Sequence, residues 1–423
     1  MAGNKPPNLD HLGTRRKAAP QNQNREPFAP AGGRTQAAPM QAVGALASPA
    51  PGEYLLHATA PLVLGTGRPL DFGLGGETLD FPFPATVAGA LRAAVQVAGG
   101  HPPDPFVDPD SVSLHWLTLM RQWPTPEPLF ARPADAAYLG GRLMRLAPEP
   151  VASDTHTDLP AGLQGLALPT DAAHAKPDPA PSWWTAAELS AWLCDPGASQ
   201  LLGPYPVGDP GPKAVRRTHV VIDPGGRGAV EGGLFRSTGI ELGGPSGYSL
   251  AVSCDAHGLH GAARRLGGEG RFVRFEAAPT PAMRTPPDAV RRALDGAVRV
   301  RVLLVTPAVF ESGGWHPDWL SPRGSGAGQQ LHGDWPGEAD HSESAGLTLV
   351  AAAISRAQSY SGWQPAQAGQ PAGPGRAWRV VPAGSVYWFD LPAGANALSL
   401  WGRSLCTGQW LRDGWGRCVV GTA

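Results

Sequence analysis

Most apolar residues of this chain recur in strand-like segments, and only a few short stretches show helical spacing. The strand-like segments lie at 57–64, 112–121, 137–146, 218–222, 234–242, 249–254, 271–276, 298–306, 347–355 and 417–420. Helices are predicted at 86–95, 182–193 and 286–294. The pattern therefore indicates a chain that contains both strands and helices, with strands in the majority.

A glycine-rich loop joins the first predicted strand to the first predicted helix. It carries one cation, Arg68, among the glycines Gly65, Gly67, Gly73, Gly75 and Gly76. Because glycine allows positive φ and close approach of a ligand, such a loop can wrap a polyanion. The segment Pro82-Phe83-Pro84 follows, and Thr86 is predicted to be the N-cap of the helix.

The second predicted helix has a clear start signal. Thr185 stands where a cap belongs, and Glu188 three residues later completes a capping box. Leu189, Trp192 and Leu193 then form the apolar face, which we interpret as core.

A β-hairpin is predicted at about 213–242. Its two strands flank a tip that begins Asp223-Pro-Gly-Gly and is rich in glycine. Five cations lie on it or beside it: Lys213, Arg216, Arg217, Arg227 and Arg236. They could bind an anionic strand, or they could be solvated charges that keep an edge strand from aggregating.

A second glycine-rich loop, Gly414-Trp415-Gly416, precedes the last predicted strand, with Arg412 just before it. Exposed glycine N–H groups can bind phosphates, and a tryptophan can stack on a splayed base. The alternative is a tight turn with a buried tryptophan.

Composition sets the outer limits. The 423 residues are enough for two or three domains, and the net charge of -1 excludes a strongly basic RNA-binding protein but not a local basic surface. With 56 glycines and 47 prolines the chain should be rich in loops. Residues 1–51 lack periodicity and are mildly basic, which predicts a disordered tail.

Few signals point to catalysis or to a cofactor. The four cysteines are scattered without a C-x-x-C pair, so neither a zinc site nor any other cofactor is predicted. The catalytic and nucleotide-binding motifs G-x-S-x-G, H-E-x-x-H and Walker A are absent from the sequence. No apolar run approaches 18 residues, and the N-terminus has no apolar signal-peptide region, so we expect a cytoplasmic protein.

Several motifs, in order, resemble one protein family. Gly67-Arg68-Pro69-Leu70 followed by P-F-P-A-T-V-A-G-A-L-R is similar to the start of the RAMP protein that forms the third subunit of type III-B CRISPR effector (Cmr) complexes. Further landmarks are E-G-x-L-F at 231–235, L-G-G-E at 266–269, T-P-A-V-F at 306–310 and V-P-A-G-S-V-Y at 381–387. The resemblance covers about residues 54–421. One departure is that Gly65 and Thr66 stand where the family often has Arg-Asp.

The resemblance implies an α+β fold of two ferredoxin-like domains with long glycine-rich loops, at 52–245 and 246–423. It implies a non-catalytic subunit that binds the 5′ repeat tag of the crRNA, caps the backbone filament and docks the large polymerase/nuclease subunit. Together with the charges it assigns RNA binding to Arg68, Gly73, Gly75, Gly76, Thr86, Arg92, Lys213, Arg216, Arg217, Arg227, Arg236, Arg412, Gly414, Trp415 and Gly416.

Two alternatives stay open. One is the equivalent tag-binding subunit of another CRISPR subtype. The other is a crRNA-processing endoribonuclease, since some RAMP proteins cleave crRNA precursors with a histidine. His57 is then the best candidate for the base.

Overall fold

The fold is known from a computed structural model. It describes residues 52–66, 78–98, 112–152, 155–160, 162–168, 176–194, 208–226, 228–243, 247–279, 283–325, 329–335, 346–364, 371 and 373–423. The tail predicted over residues 1–51 lies outside these described residues.

Strands dominate the described chain, as the apolar pattern predicts. The first thirteen are β1 Glu53–Ala58, β2 Leu114–Arg121, β3 Glu127–Ala131, β4 Ala136–Leu139, β5 Arg142–Arg145, β6 Ala147–Glu149, β7 Gly165–Ala167, β8 Trp183–Thr185, β9 Lys213–Ile222, β10 Ala229–Glu241, β11 Tyr248–Cys254, β12 Ala263–Arg265 and β13 Phe272–Ala277. The rest are β14 Arg299–Leu304, β15 Ala308–Val309, β16 Ser321–Arg323, β17 Gln330–Asp334, β18 Gly346–Ala353, β19 Gln358–Tyr360, β20 Trp363–Gln364, β21 Gly373–Pro374, β22 Trp378–Val381, β23 Val386–Asp390 and β24 Cys418–Thr422.

Helices are few and short among the described residues. They are α1 Pro84–Ala98, α2 Ala186–Cys194, α3 Asp288–Ala293 and α4 Gly408–Arg412, with a 3₁₀ turn at Ala397–Leu400. No helix in this part of the chain has the length and apolar character needed to span a membrane.

Two large sheets organise the molecule. The first has the order β12-β13-β1-β11-β2-β3-β8 and the second has the order β16-β17-β18-β23-β14-β24. Neighbouring strands are antiparallel in both. Smaller sheets pair β9 with β10, β4 with β5, β6 with β7, β20 with β21, and join β15, β22 and β19.

Strand membership shifts the boundary between the two parts of the chain. We predicted a division at residue 245, yet β11, β12 and β13 follow that residue and belong to the first sheet. Strand β11 even lies in its middle, between β1 and β2. The division between the sheets therefore falls after β13, because long-range pairing and not chain order decides which strands share a sheet.

The start of α1 differs from the prediction. The helix begins at Pro84, so Phe83 holds the cap position, and Thr86 lies inside the first turn with its N–H donating to the Phe83 carbonyl at 3.0 Å. Proline is well suited to the first helical position because it has no N–H to satisfy. The buried Phe83 ring stacks on Trp415, with centroids 5.3 Å apart. An aromatic contact thus fixes this helix end in place of a threonine cap.

The start of α2 confirms the capping box. Glu188 Oε2 accepts from the Thr185 N–H at 2.7 Å, and Thr185 Oγ1 accepts from the Glu188 N–H at 3.2 Å. Leu189, Trp192 and Leu193 are fully buried, as their spacing predicts.

A buried ion pair connects the two parts of the fold. Arg301 on β14 and Asp135 just before β4 are 1% and 0% exposed, and Arg301 Nη1 lies 2.5 Å from Asp135 Oδ2. Further bonds satisfy both groups: Arg301 donates to the carbonyls of Trp192 and Thr422 at 2.6 Å, and the Trp192 indole donates to Asp135 Oδ1 at 3.0 Å. The network joins the first sheet's insertions to the second sheet.

We expect Asp135→Ala to lower the free energy of unfolding by about 3–5 kcal/mol, because it leaves the Arg301 charge buried without a partner. Denaturant unfolding of the full chain, followed by tryptophan fluorescence, measures the loss. Asp390→Ala is the control, since it breaks the half-exposed Arg299–Asp390 pair and should cost no more than about 1 kcal/mol. Equal losses for the two variants would contradict the prediction.

Candidate nucleic-acid interface

The hairpin predicted at 213–242 is present as the two-stranded sheet of β9 and β10. Its register pairs Arg216 with Thr238, Thr218 with Arg236, and Val220 with Leu234. Because paired residues point to the same side of a sheet, these six side chains share one face, which we call the outer face of the hairpin.

The outer face carries two exposed guanidinium groups. Arg216 and Arg236 are diagonal neighbours across the two strands, and the Cα atoms of such neighbours are about 7–8 Å apart. Neither side chain forms a hydrogen bond or ion pair with the described residues, and the same is true of the side chains of Lys213 and Arg217, which point to the opposite face. These charges are therefore available to an anionic ligand. Arg227 lies outside the described residues.

Apolar side chains continue the outer face toward the tip. Val220, Ile222 and Leu234 are 40%, 51% and 60% exposed, and Val230 nearby is 43% exposed. A two-stranded ribbon with this much bare apolar surface gains little stability in water by itself. The combination of basic and apolar groups suits a ligand that is both charged and hydrophobic, as a single-stranded nucleic acid is.

The opposite face anchors the hairpin to the β12–β13 turn. The His219 ring stacks on Phe235 at 4.9 Å, and its Nε2 lies 2.8 Å from Ser237 Oγ and 3.8 Å from a carboxylate oxygen of Glu269. The backbone of Glu269 has φ +54°, a value that few residues other than glycine adopt. The contact with the hairpin thus coincides with a constrained backbone position in the turn.

The environment of Glu269 favours its charged form. Burial alone would raise the pKa of this carboxyl, but hydrogen bonds from Ser237 and Arg271 and the charges of His219 and Arg271 lower it overall. Arg271 Nη2 donates to the carboxylate at 2.7 Å. Glu269 therefore stays an anion that holds the hairpin base in place.

Both ends of the first glycine loop emerge beside the base of this hairpin. Leu62 exchanges backbone hydrogen bonds with Ile240 at 2.9 and 2.8 Å, and Thr78 Oγ1 donates to the Thr238 carbonyl at 3.0 Å. Gly65 bridges Thr78. The structure therefore brings together two regions predicted separately. Arg68, Gly73, Gly75 and Gly76 themselves lie outside the described residues.

A cavity of about 290 Å³ opens between the hairpin base and the second sheet. Phe81 and Trp183 line it with ring centroids 5.2 Å apart, together with several prolines. Thr118 also lines it and is 2% exposed, and its hydroxyl has no hydrogen-bond partner among the described residues. Flat aromatic walls beside an unpaired hydroxyl suit a planar ring with polar edges.

The C-terminal glycine loop is buried, and it contacts Phe83 and Pro307, which also line the cavity. Trp415 is 0% exposed and contacts Phe83, Tyr360 and Trp410, so neither ring face is open to a base. The N–H groups of Gly414, Trp415 and Gly416 already donate to the carbonyls of Leu411, Trp410 and Pro307. The structure thus favours the buried turn over the phosphate-binding loop.

The glycines of this loop are required by close packing. A Cβ on Gly414 would lie 2.8 Å from the Leu114 carbonyl oxygen, and one on Gly416 would lie 2.7 Å from the Cys406 sulfur. Both residues also have positive φ. Their pattern, which resembles a ligand-binding loop in the sequence, is explained here by contacts within the protein.

Arg92 is engaged within the protein as well. Its Nη2 donates to Asp413 Oδ1 at 2.6 Å and to the Val112 carbonyl at 3.2 Å, which ties α1 to the end of α4. Arg412 beside it is exposed. Arg92 therefore belongs to the packing of α1 against the C-terminal segment, and Thr86 lies in the first turn of the same helix.

His57 lies on β1 beside two charged residues of β13. Its Nε2 is 3.2 Å from a carboxylate oxygen of Glu276, without the alignment of a hydrogen bond, and Arg274 is its cross-strand partner. Burial lowers the pKa of His57, and the charge of Arg274 lowers it as well. The charge of Glu276 raises the pKa by less, so the net effect is a decrease. The imidazole is therefore neutral at neutral pH. The described residues contain no cluster of three or more potential metal ligands.

Comparison with known proteins decides the family. The family model for the CRISPR-associated protein (Cas_Cmr3) matches residues 54–423. The chain belongs to the Cas_Cmr3 family. This membership confirms the resemblance to the third subunit of type III-B complexes that the sequence motifs indicate.

Solved structures are more distant. Chains in two cryo-EM structures of the Type III-B Cmr-beta, one bound to cognate target RNA and AMPPnP and one bound to cognate target RNA, match this Cas_Cmr3 member over 79% of its length and 86% of their own. Their identities are 12% and 13%, each with a TM-score of 0.42. No curated protein matches the chain.

Sequence reasoning missed several residues of the interface. Val220, Leu234 and His219 lie in the predicted strands, but the sequence alone indicates no role for them, because facing pairs are known only once the register is known. Glu269 stood in the recognised L-G-G-E motif, so a signal for it existed. Its contact with the hairpin depends on tertiary structure.

We expect Trp415→Ala to lower the free energy of unfolding by about 3–5 kcal/mol, because it removes the centre of an aromatic cluster. Denaturant unfolding measures this. Trp378→Ala, at the half-buried rim of the same cluster beside Trp410, should cost less. A fall in RNA affinity without any change in unfolding would contradict the buried role.

Proposed function

We propose that this chain is a non-catalytic RNA-binding subunit of a type III-B CRISPR effector complex. In this proposal it recognises the 5′ repeat tag of the crRNA, caps the backbone filament and docks the large polymerase/nuclease subunit. Its partners are then the crRNA and the other Cmr subunits. Membership of the Cas_Cmr3 family supports the assignment to the complex.

The outer face of the hairpin carries the proposal. It presents Arg216 and Arg236, whose side chains have no partner among the described residues, beside the exposed Val220–Leu234 pair. Guanidinium groups bind phosphates, and apolar side chains can press against or separate unstacked bases. Near the hairpin base, the cavity lined by Phe81 and Trp183 is of a size and shape to receive one base of the strand.

The proposal includes a fold of two ferredoxin-like halves, and the strand orders support it. The central strands of the first sheet run β13-β1-β11-β2, and those of the second run β24-β14-β23-β18. Numbered within each half, both orders are 4-1-3-2, the order of an antiparallel β-α-β-β-α-β sheet. Each half keeps one crossover helix among the described residues, α1 in the first and α4 in the second.

The double variant Arg216→Ala/Arg236→Ala tests the hairpin. We expect weaker binding of a single-stranded RNA that carries the repeat-derived 5′ end. The slope of log affinity against log salt is negative, and it should become shallower by about 1.4 because two phosphate contacts are lost. Fluorescence anisotropy of the full chain at several salt concentrations measures both quantities.

The matched control is Arg291→Ala/Arg292→Ala, which removes two exposed arginines of α3. It should leave the affinity and the salt slope close to the wild-type values. Equal effects of the two double variants would show that only overall charge matters, and the hairpin assignment would then fail.

The geometry of His57 keeps a nuclease as the second candidate. A neutral imidazole next to Glu276 and Arg274 could in principle take a proton from an RNA 2′-hydroxyl. Under our proposal His57 has no such task. We therefore expect repeat RNA to stay intact during incubation with the purified protein, and His57→Ala to bind the RNA as wild type does. Cleavage that His57→Ala abolishes would establish the nuclease instead.

A further inference from the structure

A groove of about 810 Å³ lies beside the second sheet, and none of the described residues assigned to RNA lines it. One wall is the segment that leads into β7, which crosses from the first half and is held by the Gln164 N–H donating to the Val350 carbonyl at 2.8 Å. The other wall is formed by the end of β18 and by β22. The volume of the groove falls within the range of about 300–1,000 Å³ that is typical of binding clefts.

Apolar side chains line most of this groove. Leu163 is buried, Leu166, Trp315 and Ile354 are half-buried, and Leu159 is 38% exposed at the edge. Exposed apolar surface is unfavourable in water, and a partner that covers it removes this free-energy cost.

The rim carries positive charge that no described lining residue neutralises. Arg356 and Arg379 line the groove and are exposed, and their side chains form no hydrogen bond or ion pair with other described residues. No aspartate or glutamate is among the described residues that line it. An occupant that matches the groove must therefore bring both apolar side chains and negative charge.

We infer that the groove binds an acidic amphipathic segment of a partner protein. The inference rests on the proposed function in one respect, because a subunit of a larger complex needs such protein contacts. The chain's own residues 1–51 do not match, since they contain six basic and two acidic residues. A nucleic acid matches less well, because the leucine and isoleucine walls offer one tryptophan as a stacking surface.

Defined peptides test the inference on the full chain. The probes are two fluorescein-labelled 14-residue amphipathic helices, one with leucine and glutamate and one with leucine and lysine in the same positions. We expect the glutamate peptide to bind and the lysine peptide not to bind. Arg356→Glu/Arg379→Glu should weaken binding about tenfold, since two partly exposed ion pairs become repulsive contacts.

The control variant is Arg291→Glu/Arg292→Glu, which makes the same change of charge on α3 and should leave peptide affinity unchanged. Equal binding of the two peptides, or an equal loss in both variants, would overturn the inference. Displacement of the peptide by single-stranded RNA would also overturn the inference, because it would identify RNA as the occupant. A gain in peptide affinity when residues 1–51 are removed would overturn it as well, because it would identify that segment as the occupant.

RNA binding, measured in parallel, separates this inference from the proposed function. Arg356→Glu/Arg379→Glu should keep wild-type affinity for the RNA with the repeat-derived end. A loss of RNA affinity in this variant would place RNA in the groove and overturn the inference, whereas loss only in Arg216→Ala/Arg236→Ala leaves both proposals standing.

Discussion

The structure depends on one buried ion pair, between Arg301 of the second sheet and Asp135 of the first half. Both groups are almost fully buried, and the carbonyls of Trp192 and Thr422 each accept one further guanidinium hydrogen bond. Because a charge is costly to bury without partners, the pair forms only when β14, α2, β24 and the segment before β4 are all in place. It thereby fixes how α2 and the segment before β4 meet the second sheet.

The two faces of the hairpin have different roles in the candidate interface. The face opposite the outer face is held to the protein at its centre, through the stacked His219 and Phe235 rings and through Glu269, while Lys213 and Arg217 of that face have no side-chain partner among the described residues. The outer face, with Arg216, Arg236 and the exposed Val220–Leu234 pair, is left for a ligand. Since a free two-stranded ribbon is only marginally stable, the contacts on the opposite face are what allow the outer face to stay exposed and ordered.

The C-terminal loop shows how one residue pattern serves different ends. Gly414-Trp415-Gly416 has the composition of a phosphate-binding loop, yet its N–H groups and its indole ring are used inside the protein. Trp415 supports Phe83 at the start of α1, and Arg92 of the same helix binds Asp413. The loop therefore positions α1, whose N-terminal approach leads from the glycine loop beside the hairpin.

Local patterns determined the parts of this protein that one segment can encode. The capping box of Thr185 and Glu188, the buried face of α2 and the two strands of the hairpin follow from residues close together in the chain, and the motifs in order were sufficient to indicate the family. Tertiary structure decided the rest. It placed β11 between β1 and β2, buried Trp415 against a phenylalanine over 300 residues earlier, and brought Glu269 to the hairpin. Burial and facing pairs depend on contacts between distant segments, and no local spacing specifies those contacts.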